Sequence, residues 1–316
     1  MSFQPKHCGL YFTDENLRLA RENRQREPIR SALARLRQPG DAPLVSAQLA
    51  GLRWRLLGDA EAALPAIEGL RQVNGWRQSG DIQSQLRHLL AWLSVLEMLR
   101  EHPAWRPLQS DWLAALEAQL DIIMPAADDA SPLDGLWFGA LNLAAGIVLE
   151  CAAYFQRGQA SYQQAIHQHI HPEGFLKGIV DVHDVTQSYS LQVSGTCALV
   201  LMAEMAWHVG VDLWSFDNRG VTPMTAATYL LYYYFYPERW KWEAGLTRAT
   251  TESIMRTQGA FIEMVNRRQR LPGIDHLFMD LRPMFGAAAG GLTTLTHGIA
   301  PPPKKRRWRW LNAFGG

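Results

Sequence analysis

Residues 171–214 read HPEGFLKGIVDVHDVTQSYSLQVSGTCALVLMAEMAWHVGVDLW, and the fold turns on how this stretch is understood. Pro172-Glu173-Gly174 marks a turn, a polar segment carries His183, Asp184, Gln187 and Tyr189, and an apolar helix is expected from about Leu191 to His208. Along that helix Leu191, Gly195, Ala198, Leu199, Met202, Met205 and Ala206 recur at three- and four-residue spacing, the pattern of a stripe packed against other helices. The stripe is scaffold, so function is expected in the polar residues at the helix mouth.

The same periodicity extends in both directions. Upstream, Thr13 or Asp14 caps a run through Leu36 that Pro39-Gly40 ends; a second helix spans about Pro43 to Leu57, and Asp59 caps a third to about Val73. Ser79 or Asp81 opens a helix through Leu99, stopped at His102-Pro103, and Asp111 to Met124 forms another before Pro125. Beyond the small-residue loop 126–132, helices are expected over Gly135–Phe155, Ser161–Ile170, Thr222–Tyr236 and Thr250–Arg268. Period-two alternation is nearly absent and the turns are short, which makes sequential helices antiparallel neighbours in an all-α protein. From Gly286 the character changes: a Gly/Ala-rich run is followed by Pro301-Pro302-Pro303 and the basic, aromatic segment Lys304 to Trp310. Residues 1–285 are therefore expected to form the folded domain and 286–316 a mobile basic tail.

Composition sets the outer bounds. In 316 residues, 47% hydrophobic content supplies a sizeable core, and 31 basic against 30 acidic residues leave a net charge of +1. No global field draws in nucleic acid or a membrane, so attraction for an anion has to be local. No specific nucleic-acid partner is expected, although the basic tail has the composition to touch anionic surfaces. Cys8, Cys151 and Cys197 lack CxxC spacing and argue against a disulfide framework or zinc site. His167, His169 and His171 alternate, but no H-E-x-x-H pattern accompanies them; neither a metal nor another cofactor is expected. Met1 to Thr13 shows no charged region followed by an apolar core, which points to a cytoplasmic location. The oligomeric state is left open.

Several motifs together resemble the alginate lyase family of polysaccharide lyases, which are built on an α/α toroid. His169-Ile170-His171-Pro172-Glu173-Gly174 is similar to the family's Gln-Ile-x-Pro-Asp-Gly, Tyr189-Ser190 to its Tyr-Ser, and Gly210-Val211-Asp212-Leu213-Trp214 to its Gly-Val-Asp-Leu-Trp. Leu57-Gly58-Asp59 and Tyr236-Pro237-Glu238-Arg239-Trp240 resemble two further family turns. The resemblance spans about residues 8 to 265 and implies a toroid of antiparallel helical hairpins acting on a uronate-containing polysaccharide or oligosaccharide. It also implies export, which is usual in the family and contrasts with the absent leader pattern.

A uronate lyase has to neutralise the substrate carboxylate, take the C5 proton and protonate the departing O4. By resemblance Tyr189 is the acid/base; read from its residues alone, it is equally a tyrosine packed at a helix start. The family's Asn-His-Gly corresponds to Leu133-Asp134-Gly135, so Asp134 stands where the family has His, and Val182-His183 stands where the family has Arg. His183 is then the candidate replacement base, with Asp134 or Asp184 orienting it, or else a solvated loop histidine. Trp137, Asn142, Gln187 and Arg239 are the candidate substrate-binding residues. Arg53, Arg55, Arg77, Arg87, Lys241, Arg267, Arg268 and Arg270 are further candidates for pairing with carboxylates, and Trp54, Trp76, Trp92 and Trp105 for stacking on sugars. Three readings follow: a β-eliminating lyase, a non-catalytic relative that binds acidic glycans or serves a structural role, and an interaction protein working through its basic tail.

Overall fold

The computed structural model describes residues 3–72, 80–242 and 244–301. The chain is helical throughout: α1 (Asp14–Glu22), α2 (Ile29–Leu36), α3 (Pro43–Leu57), α4 (Ala60–Gln72), α5 (Ile82–Leu99), α6 (Gln109–Ile123) and α7 (Pro132–Val148) are followed by α8 (Ala152–Gln164), α9 (Val185–His208), α10 (Pro223–Phe235), α11 (Arg248–Gln258), α12 (Ile262–Arg268), α13 (Ile274–Leu281) and α14 (Thr293–His297). Among the described residues the only extended pairings are isolated bridges.

Helices α3, α5, α7, α9 and α11 are successive neighbours and form an inner row. Outer helices fold back on them: α4 on α3, α8 on α7, and α10 against α9 and α11. This is an α/α toroid, an open ring of antiparallel hairpins. The gap between its ends is bridged from both termini, because α14 touches α12, α1 and α2, which in turn lie on α3 or lead to it.

Local chemistry explains where the elements start and how closely they pack. Asp184 caps α9, accepting from the Thr186 and Gln187 amides at 2.9 and 3.0 Å. The helix therefore begins at Val185 rather than Leu191, and the polar mouth is its first turns. The run expected as one helix from Gly135 to Phe155 is broken at 149–151 into α7 and α8, which pack face to face. Glycines allow that approach: a Cβ on Gly146 would lie 2.5 Å from the Phe155 amide nitrogen, and one on Gly158 would meet Gly139's carbonyl oxygen at 2.8 Å. The run 14–36 likewise divides at 23–28.

The expected tail boundary at Gly286 is corrected by the structure. Leu292, Thr293, Thr294 and His297 are buried, and Thr293 Oγ1 donates to the Ala260 carbonyl at 2.8 Å. The segment 286–300 is folded, and its glycines serve close contact rather than mobility. The basic segment 304–310 lies outside the described residues, as do Trp76 and Arg77.

Candidate functional site in the centre of the ring

A cavity of about 340 Å³ opens where the inner helices converge. Helix α5 contributes Ser84, Arg87 and His88, α7 contributes Trp137, α9 contributes Ser194 and Cys197, and α11 contributes Thr257 and Gln258; residues 286–289 complete the wall. The register of α5 is set by Asp81, whose carboxylate accepts from the Ser84 amide at 2.8 Å. Positions 84, 87 and 88 consequently share one face of the helix.

A chain of hydrogen bonds fixes one side of the cavity. Gln83 donates to Asp134 at 2.8 Å, Ser194 donates to Gln83 at 3.2 Å, and the Trp137 indole donates to Ser194 at 3.0 Å. The Arg87 guanidinium lies 5.5 Å from the Trp137 ring centroid, within cation–π range. Arg87 makes a long 3.4 Å bond to the Gln83 carbonyl and forms no ion pair among the described residues. Its charge is thus held in a half-buried position and is available to an incoming anion.

The other groups are mostly acceptors and neutral donors. The Trp92 indole donates to His88 Nε2 at 3.1 Å. That bond uses the Nε2 lone pair and leaves the ring proton on Nδ1. Burial lowers the His88 pKa, favouring the neutral ring. The Cys197 thiol is pushed up to about 12 by burial, against the opposing charge of Arg87, so it is a protonated, weakly polar wall group. Gln258 donates to Ser190 Oγ at 2.8 Å, while its buried Oε1 has no partner among the described residues. An unpaired acceptor of this kind carries a cost unless a ligand donor meets it.

The residues singled out from the sequence do not converge on this cavity. Tyr189 is fully buried, edge-on to Trp240 at 5.3 Å, and its hydroxyl has no partner among the described residues. Burial, reinforced by Tyr234, raises its pKa far above the ordinary tyrosine value. In this structure the hydroxyl therefore stands in the core and does not line the cavity. His183 and Gln187 are exposed. Asp184 is committed to capping α9. Asp134 is paired with Gln83 and with Ser131 Oγ at 2.7 Å, as a helix-start carboxylate, and does not orient His183. Asn142 is buried but faces a separate pocket with Ser161 and His169. Arg239 is exposed on the outer surface and donates to the Tyr232 hydroxyl at 2.7 Å. Trp137 alone among the named catalytic and substrate-binding residues lines the cavity.

Arg87 had stood only as one candidate among many arginines, and His88, Ser194 and Gln258 were not recognised. The available signal was the cluster Ser84, Arg87 and His88 on one face of the apolar α5. Of the other tryptophans, Trp92 and Trp105 are core residues, and Trp54 packs edge-on to His102. Among the described residues no cluster of three or more His, Cys, Asp or Glu side chains is arranged to hold a metal.

A ring of helical hairpins around a central cavity is the architecture of an α/α toroid. The sequence profile of the alginate lyase family matches residues 47–240, more than half of the chain, and the protein belongs to that family. Its fold is similar to alginate lyase A1-III from Sphingomonas species A1, with 18% identity over 82% of this chain and 76% of that one and a TM-score of 0.66. A histidine-to-alanine variant of alginate lyase A1-III, complexed with tetrasaccharide, matches over 84% of each chain with 18% identity and a TM-score of 0.64. An alginate lyase from Bacteroides ovatus matches over 93% of this chain and all of that one (100%), at 11% identity and a TM-score of 0.65. No curated protein matches in sequence. Among the described residues, no helix is long and apolar enough to cross a membrane.

Proposed function

We propose that the central cavity binds an acidic, uronate-containing polysaccharide or oligosaccharide, with Arg87 receiving a sugar carboxylate. The observation that carries this reading is the Arg87 guanidinium, without an ion pair among the described residues and held over Trp137 in a half-buried cavity. A carboxylate replacing water there gains a bidentate, charge-assisted contact in a setting less screened than the surface. The free Oε1 of Gln258 accepts from a sugar hydroxyl, and Ser84, Ser194 and the His88 Nδ1–H offer donors to ring and carboxylate oxygens. The tetrasaccharide bound to the Sphingomonas relative makes an oligosaccharide the natural ligand to try first.

A second reading, β-elimination at the same place, is favoured by His88. It is the cavity's only imidazole among the described residues, and burial keeps it neutral. In that reaction a base takes the C5 proton, the C4–O4 bond breaks, the departing O4 takes a proton from the protonated base or from water, and a C4=C5 double bond forms. His88 can serve as the base only if it first releases the Trp92 indole, because its Nε2 lone pair is already engaged. Pairing of Arg87 with the carboxylate lowers the cost of the C5 carbanion in either order.

The two readings separate in one experiment. The protein is mixed with mannuronate- and guluronate-containing oligosaccharides, with binding followed by calorimetry and product by the ultraviolet absorbance of the unsaturated uronate. Heat of binding without absorbance supports recognition alone, whereas absorbance lost in His88→Ala supports elimination. Absence of both signals across the panel sinks the proposal.

A further inference from the structure

Resting on the reading of the cavity as a uronate-glycan site, we infer that the turn 286–291 is a fixed wall that limits the ligand to a chain end of one or two sugar residues. The turn lies where the open ring would otherwise leave a gap between its first and last helices. Gly286 and Gly291 exchange both backbone hydrogen bonds at 2.9 Å, closing the turn on itself. Gln48 on α3 donates to the Ala287 carbonyl at 2.7 Å. On the opposite side, a Cβ on Gly286 would stand 2.7 Å from the Ala260 Cβ, so the turn is seated against the segment that follows α11. Gly290 and Gly291 have φ of +80° and +97°, a conformation that fits glycine and fixes the direction of the chain. Anchored from both sides, this segment is a wall and not a lid.

The wall presents small side chains, Ala287, Ala288 and Ala289, to the cavity. They leave room for a ligand while closing the direction in which a polymer would continue. The volume sets the scale. A uronate residue displaces on the order of five waters, or ~150 Å³ at ~30 Å³ per water. About 340 Å³ therefore accommodates two such residues, one of them against Arg87. Longer chains extend into solvent and gain little.

The test is a length series by calorimetry on the full chain, using mannuronate and guluronate mono-, di-, tetra- and hexasaccharides at equal molar concentration. Affinity is expected to rise from mono- to disaccharide and then to stay within about twofold. A further rise of about tenfold or more, roughly 1.4 kcal/mol, from di- to hexasaccharide overturns the wall. Failure of every oligosaccharide to bind overturns the glycan reading beneath it, which is a different result. Ala288→Trp supplies an independent arm. Folded by its melting transition, it is expected to lose disaccharide binding at least tenfold, whereas Ala288→Ser retains it. Full affinity in a folded Ala288→Trp protein contradicts the inference, and if that variant does not fold the length series decides.

Discussion

Two arginines in this molecule have opposite fates. Arg268 lays its fork on Glu204 with two 3.0 Å bonds, and the same carboxylate also receives the Trp214 indole at 3.0 Å and lies 3.1 Å from His208 Nε2. Arg282 does the same with Glu263 at 2.7 Å, and Arg100 reaches Glu97 at 2.9 Å. These pairs lie away from the cavity lining, where satisfied charges hold helices in register. Arg87 sits in the centre, over an aromatic ring, and makes no ion pair among the described residues, although its charge, after the Ser84 amide, helps lower the pKa of the Asp81 carboxyl. The contrast teaches that Arg100, Arg268 and Arg282 are committed to structure, whereas Arg87 in the cavity wall makes no ion pair among the described residues.

The largest effect expected from this contrast is in the committed pairs. Glu204→Gln leaves Arg268 with a neutral partner in a buried position, and a loss of about 3–5 kcal/mol is expected in urea denaturation. A loss below about 1 kcal/mol would mean that the network is ornamental. Acid acts on the same cluster with a defined sign. Burial pushes the Glu204 carboxyl up, but hydrogen bonds and charge from His208 and His297 outweigh it and hold the pKa well below the usual carboxylate range. His297 is lowered, chiefly by burial; its Nε2 lies 2.9 Å from the Tyr11 carbonyl, a contact that requires a proton there. The unfolded chain takes up protons at about pH 6.5 for His297 and about pH 4.3 for Glu204, where the native protein resists them. Stability is therefore full above these values and falls as pH drops through them. Melting temperature should decline stepwise from pH 7 to 4, and a flat profile speaks against the assignment.

The smallest expected effect is the one that separates this site from the family pattern. Tyr189→Phe removes a buried hydroxyl that has no partner among the described residues, so stability should change by less than about 1 kcal/mol and oligosaccharide binding not at all. A loss of binding in this variant would return Tyr189 to the site and unseat the cavity described above.

How much was legible in the sequence differs by level. The helical periodicity and the capping residues gave an all-α chain of antiparallel neighbours, since each turn carries its own Gly, Pro or Asp, and the resemblance to the alginate lyase family implied the ring. Break points were harder: the split between α7 and α8 depends on glycines that matter only when a second helix approaches. The segment 286–300 reads as a tail because Gly, Ala and Pro have low burial value, yet tertiary packing makes the same residues indispensable where chains cross closely. The site was the least legible part. It draws on positions 84–88, 137, 194–197, 257–258 and 286–289, which no local window joins. The matched pair Tyr189-Ser190 straddles the cavity edge. One residue along a helix turns the side chain by about 100°, so Ser190 meets Gln258 at the cavity while Tyr189 turns into the core against Trp240.

The central claim, that Arg87 is the carboxylate-binding group, is tested most directly by calorimetric titration of a uronate disaccharide into the wild type and Arg87→Ala, with melting temperature measured alongside. Loss of a charge-assisted bond of about 1.5–3 kcal/mol predicts a roughly 10- to 100-fold weaker affinity with an unchanged melting transition. Equal affinity in the two proteins would contradict the account.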